Sequence, residues 1–222
     1  MASAADLAAF LRQRLGSADF DPLWRAGPRN IRRLGLALDP PSALPGDLEA
    51  LFLHRPFRLP AQACSDLTVL ASHAGFDQHL TTGFNPSLAA RLGLEELQPL
   101  EWDGQVIGML GRAAAAAWSS WQSRLESEFG GLETWVPPRA ARVQQLAVVN
   151  ALRPELVLAV QQQGAGLYLT GQPRGRGLEQ ARQQGMGLAA AGHRRIELWG
   201  LRQLARELRM AFPELELRLL EA

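Results

Sequence analysis

The strongest constraint on the fold is an alternation that runs the length of the chain, in which short apolar runs closed by turn residues take turns with helical patterns. Leu34 to Leu38 is such a run, closed by Asp39-Pro40-Pro41, and Ala50 to His54 and Leu67 to Ser72 repeat it. Runs of this length bounded by turn signals read as strands. Before the first of them, Leu7, Phe10, Leu11 and Leu15 recur at helical spacing, and Ser42 to Glu49 is expected to make a short helix. Asn85-Pro86 opens a helix to about Leu92, with Asn as cap and Pro in the first turn. Trp102-Asp103-Gly104-Gln105 reads as a hairpin turn into a strand over Val106–Leu110. Arg112 to Glu128 is Ala-rich, carries Trp118 and Trp121 three apart, and ends at Gly130-Gly131, the signature of a helix and its C-terminal stop.

Val136-Pro137-Pro138-Arg139 is the natural linker. Beyond it, strands are expected at 143–149, 167–170, 188–191 and 215–219, with helices at 154–163, 178–184 and 196–210. The expected fold is α/β, with two related domains, residues 1–133 and 134–222, each a mixed sheet flanked by helices.

The bulk chemistry narrows the functions. A formal net charge of +1 gives no electrostatic reason to expect nucleic acid or an anionic membrane. Cys64 is the single cysteine, which excludes an intrachain disulfide and any Cys-rich zinc motif. No apolar run reaches the roughly 18 residues of a membrane-spanning helix. Asp6 interrupts the N-terminal apolar stretch too early for a signal peptide. A cytoplasmic globular protein is expected.

The four histidines carry the functional signal. His54, His73 and His193 each follow a strand end, the edge where open α/β sheets place ligands, while His79 lies in a loop-like HLTTG segment. His73 and Asp77 are four residues apart, and so are His193 and Glu197. On a helix that spacing puts both groups on one face. Each pair alone reads as a surface ion pair. Both together, with His54 at a third strand end, point to a metal site. Imidazole and carboxylate suit Zn, Fe, Mn or Co without choosing among them.

Read in order, these segments resemble the dinuclear metal-centre hexameric proteins, the Nif three-like family also named GTP cyclohydrolase I type 2 homologues. Leu34–Asp39 is similar to that family's first-strand motif, Leu53–Phe57 to its His-His-Pro segment, and Ala71–Asp77 to its Ala-His-Thr-Asn-apolar-Asp segment. Gly83-Phe84-Asn85 before a helix closed by Leu92-Gly93-Leu94 also fits. Gly166–Gly171 resembles the family's Tyr-apolar-Thr-Gly strand, and Gly192–Gly200 keeps its Gly-His-x-x-x-Glu-x-x-Gly pattern.

The resemblance implies metal ligands at His54, Asp77, His193 and Glu197, with His73 close by. It also implies a metal site in the cleft between two domains, one or two divalent transition ions (Zn, Fe or Mn) per chain, and a homohexamer. The chain departs from the pattern at three places. Arg55 replaces the second histidine of the His-His pair, and a guanidinium is not a metal ligand. Gln172-Pro173-Arg174-Gly175-Arg176 follows the Thr-Gly strand where an acidic residue and a histidine are usual. Asn150-Ala151-Leu152 stands in place of a Gly-rich loop. These changes reduce the ligands and add positive charge. Three outcomes are expected: one metal rather than two, weak metal binding, or Arg55 as a fixed cation that neutralises Asp77 or Glu197 or clamps a phosphate or carboxylate of a ligand, with Arg174 and Arg176 as solvated loop charges. Two functions stay open. One is a metal-dependent hydrolase of a small metabolite with a reduced, mononuclear site and His73 as proton shuttle. The other is a non-catalytic metal-binding or scaffold protein.

Overall fold

The computed structural model describes residues 2–16, 21–60 and 62–220. In chain order the first elements are β1 (Ala2–Ser3), α1 (Ala4–Leu15), β2 (Leu23–Arg25), β3 (Asn30–Ile31), β4 (Arg33–Ala37), β5 (Ala50–Leu53), β6 (Thr68–Ala71) and α2 (Ala74–Leu80). They are followed by α3 (Pro86–Leu92), β7 (Glu95–Trp102), β8 (Gln105–Ala116), α4 (Trp118–Phe129), β9 (Thr134–Val136) and β10 (Val143–Val149). The last are α5 (Pro154–Gln162), β11 (Leu167–Thr170), α6 (Gly175–Gln184), β12 (Gly187–Ala190), α7 (His193–Ala211) and β13 (Glu216–Leu219). The fold is α/β, with two large mixed sheets and seven α-helices among the described residues. No helix among these residues is long and apolar enough to cross a membrane.

The chain forms two compact units, one of residues up to Phe76 together with those from Gly200 on, the other Asp77–Trp199. The boundary expected at 133/134 therefore falls inside the second unit. Its six-stranded sheet, ordered β7-β8-β10-β11-β12-β9, draws strands from both sides of that point.

In the first unit the sheet order is β13-β4-β5-β6-β2. β13, β4, β5 and β6 pair in parallel and β2 closes the edge antiparallel. Every residue of β5 and β6 is buried, which is why these strands read as unbroken apolar runs rather than alternating ones. α1 starts in a capping box, with the Asp6 amide donating to Ser3 Oγ at 3.0 Å. It buries Leu7, Leu11 and Leu15, and Arg14 clasps Glu207 of α7 through two bonds of 2.6 and 3.0 Å.

The second unit buries both faces of its sheet, and residue parity sorts the two cores. Leu146, Val148, Leu167, Leu169 and Ala189 pack with Trp121, Leu125 and Ile196. Ala147, Val149, Tyr168, Leu188 and Ala190 pack with Leu156, Val157, Val160 and Ala181. Tyr168 is fully buried, and its hydroxyl donates to the Ala151 carbonyl at 2.5 Å. Burial pushes its phenol well above the ordinary range, so it stays a donor at any working pH. Tyr168→Phe is expected to cost about 1 kcal/mol, the net worth of one buried hydrogen bond, read as a lower urea midpoint with an unchanged slope.

Several local expectations change. Residues 42–49 form turns rather than a helix, because Pro41, Pro45 and Gly46 break it. Arg112–Ala116 is strand, not helix: β8 runs to Ala116 and pairs with both β7 and β10, so sheet pairing overrides the helix propensity of the Ala run. Helix α4 begins only at Trp118, with Trp121 buried and its indole donating to the Val143 carbonyl at 3.2 Å. Val136, placed in a linker, ends β9, which pairs antiparallel with β12. His79 belongs to the last turn of α2 rather than to a loop.

Candidate metal centre

Parallel pairing brings the first histidines together. β5 and β6 run in register with Leu53 opposite Ala71, so the residues just past their carboxyl ends are neighbours. His54 is completely buried, and its Nδ1 lies 3.3 Å from the Ser72 carbonyl. A carbonyl only accepts, so it fixes the proton on Nδ1 and leaves Nε2 as the unprotonated ring nitrogen, an arrangement also found behind metal-bound imidazoles. His73 stacks on His54, with ring centroids 4.6 Å apart and planes within 3°. Phe76 packs against the same imidazole at 4.6 Å.

α2 starts immediately after His73 and carries Asp77 in its first turn. His54, His73 and Asp77 can each offer one donor atom so that all three lie within 4.8 Å of one another. Two imidazoles and a carboxylate at that separation fit a divalent transition ion. His73, expected only near the metal, is thus itself one of the ligand-capable residues, and the exposed one of the three.

Asp77 also lines a pocket within the second unit, together with Thr81, Asn150, Gln172, His193 and Glu197. The last two occupy the first turn and a half of α7, where the four-residue spacing works as expected: His193 Nε2 is 3.0 Å from Glu197 Oε1. Glu197 is only 2% exposed, and a carboxylate so deeply buried requires a cation or a strong donor beside it. A metal ligand pair fits that donor set. Gln172 meets the other face of the ring, with Nε2 3.0 Å from His193 Nδ1. Sequence reasoning enters Gln172 only as a lost acidic residue, and it has no signal for Asn150 or Ser72 as site neighbours.

Arg55 is turned to another use. Its fork donates to Asp39 through Nε at 2.7 Å and Nη2 at 2.6 Å, and Arg58 adds a third bond to the same carboxylate at 2.8 Å. Asp39, just past the end of β4, is thus a partner of Arg55. These two guanidinium groups, Arg55 first, hold the Asp39 carboxyl below the ordinary carboxylate range. The stability it adds is complete above about pH 3.9 and disappears as acid takes the solution down through the lowered folded value. Asp39→Asn should therefore be less stable than the parent at about pH 6 in urea melts, with the gap closing below about pH 3.9.

A two-unit α/β protein with a His/His/Asp group able to hold a metal ion is the class these observations define. The chain belongs to the Duf34/NIF3 (NGG1p interacting factor 3) family, whose pattern matches residues 58–221. His54 and Arg55 lie just before that stretch. It is similar to the GTP cyclohydrolase 1 type 2 homolog of Deinococcus radiodurans, 25% identical over 143 residues, covering 64% of this chain and 54% of that protein. The Escherichia coli protein of the same name is 26% identical over 152 residues, covering 67% and 59%. The matched part of the chain thus spans little more than half the length of these curated relatives. Among solved structures, TTHA1606 from Thermus thermophilus matches with a TM-score of 0.74 at 24% identity, over 99% of this chain and 98% of that one. At that identity the likeness establishes the fold.

Proposed function

We propose that this protein is a metal-dependent hydrolase of a small metabolite, built on a divalent transition ion (Zn, Fe or Mn). The observation that carries the reading is the convergence of His54, His73 and Asp77 donor atoms within 4.8 Å. Asp77 is the first ligand we assign, because it belongs both to that group and to the pocket of His193 and Glu197. His54, His193 and Glu197 are assigned as the others. When bound, such an ion acts as a Lewis acid and lowers the pKa of coordinated water. The residues divide the remaining work. Buried His54 is held in one tautomer by Ser72, and exposed His73 is placed to move a proton to or from solvent. The relatives' name speaks of a cyclohydrolase; we carry over hydrolysis and leave their substrate with them.

The site is assigned one ion per chain, since Arg55 stands where the family pattern has a second histidine. Elemental analysis of untagged protein should give a ratio near one, and two tightly held ions would refute that stoichiometry. A phosphodiesterase and phosphatase panel with Mn, Zn or Fe should show turnover that His193→Ala removes; turnover that survives the substitution unchanged ends the catalytic reading. The Arg55–Asp39 pair favours a second reading, a non-catalytic metal-binding or scaffold protein, for which metal binds and no turnover follows. Assembly as a homohexamer in the cytoplasm, expected from the resemblance, is tested by light scattering on the purified protein and by cell fractionation.

A further inference from the structure

Two hydrogen-bond contacts and one ion-pair contact in the second unit form a line whose proton positions follow from donor and acceptor chemistry. Arg174 Nη2 donates to Gln172 Oε1 at 2.8 Å, Gln172 Nε2 lies 3.0 Å from His193 Nδ1, and His193 Nε2 lies 3.0 Å from Glu197 Oε1. A guanidinium has no acceptor, so the amide oxygen must face Arg174 and the amide NH2 must face the imidazole. His193 Nδ1 must then be the acceptor. In the neutral ring the proton is left on Nε2, where it donates to the buried carboxylate of Glu197.

We infer that Gln172, oriented by Arg174, is a positioning residue that reinforces the Nε2–H tautomer Glu197 already selects and so opposes metal binding at that nitrogen. The inference rests on the metal reading above only for its consequence, not for the proton assignment. For Nε2 to bind a metal, the neutral ring must carry its proton on Nδ1 instead. That proton would point at the Gln172 NH2, donor against donor. Turning the amide over relieves this clash and creates another, because the NH2 then faces the Arg174 guanidinium. While Arg174 stays in place, no arrangement of the line satisfies every group and also bares Nε2. In metal sites the atom behind a ligating imidazole is ordinarily an acceptor, a carboxylate or a carbonyl, and losing such a partner costs about 10–100-fold in affinity. His54 has one, the Ser72 carbonyl. His193 faces a donor, so of these two assigned ligands His54 meets a metal in its resting tautomer, whereas His193 must first change tautomer against this line.

Arg174→Met frees the amide to turn over and accept from Nδ1–H. Arg176→Met, two residues on, removes the same charge without touching the line and serves as control. Long-range 15N–1H spectra of histidine-labelled, metal-free protein at about pH 8, above the ordinary histidine range, should show His193 as the Nε2–H tautomer in the parent and in both variants, because Glu197 accepts from Nε2 in each. Titration with Zn2+ against a competing chelator should give about tenfold tighter binding for Arg174→Met than for Arg176→Met, the low end of the effect of an orienting partner. An Nδ1–H tautomer in the parent overturns the inference, and so does equal tightening in the two variants, which would mean charge alone. If neither the parent nor any variant binds Zn2+, the metal reading fails, while an Nε2–H tautomer in the parent still supports the acceptor role of Nδ1 toward Gln172.

Discussion

His54→Ala is expected to empty the candidate centre of metal, with content falling from near one ion per chain to background. The imidazole is completely buried and its Nδ1 is oriented by the Ser72 carbonyl, so bulk solvent does not supply the nitrogen that is lost. Removal of an orienting partner alone costs about 10–100-fold in affinity, and loss of the ligand itself should cost at least the upper end of that range. The cavity it leaves lies against His73 and Phe76, so a stability loss of about 2–4 kcal/mol accompanies it, as for other large-to-small changes in a core. His73→Ala is the informative comparison. His73 is exposed, so its truncation should weaken metal binding with little change in the urea midpoint. Metal retained in full by His54→Ala would remove His54 from the ligand set.

Gly75→Ala is expected to be the most damaging single-methyl change in the first unit. A Cβ at this position would sit 1.7 Å from the Leu15 carbonyl oxygen and 2.8 Å from the Leu15 carbonyl carbon. Both are backbone atoms at the end of α1, and neither can swing aside as a side chain would. Either the end of α1 or the start of α2 must move by more than an ångström, at about 3 kcal/mol or more, the upper end of overpacking costs. Because Gly75 lies between His73 and Asp77, the same movement spreads the donor group, and metal affinity should fall together with stability. Gly46→Ala, with no atom within 4 Å of the added Cβ, should leave both unchanged. Gly75→Ala folding and binding as the parent does would show that α1 and α2 have room between them.

Much of this architecture was legible in the order of residues. The limits expected for β10 and β11, Val143–Val149 and Leu167–Thr170, match the strands observed, because buried parallel strands leave compact apolar runs between turn residues. Asn85 caps α3 by accepting from the Leu88 amide at 3.2 Å. The Asp103-Gly104 hairpin turn has positive φ at both residues, 50° and 74°, as that dipeptide demands. What could not be read was pairing at a distance. Nothing local says that the Ala run of β8 meets Val143–Val149, that Trp135 lies opposite Ala189, or that the last strand joins the first sheet. The candidate site divides in the same way. The His193/Glu197 contact follows from helical spacing, and the His/His/Asp group follows from strand ends in register. The partners that orient the imidazoles, Ser72 and Gln172, come from other elements and have no spacing signal. Arg55 shows the converse case. Its chemistry allowed a ligand clamp, and the fold pairs it with Asp39, a partner that has no spacing signal.

The pairing of β13 with β4 bears on the order in which the protein is made. The second unit is one continuous stretch, Asp77–Trp199, and its whole sheet is available once that stretch has left the ribosome. The first unit is discontinuous. Its β4 edge stays uncovered, with its amides and carbonyls unpaired, until β13 is synthesised. Domains fold as units as they emerge, so here the later-numbered unit is complete first, and the unit carrying His54 and His73 is closed last.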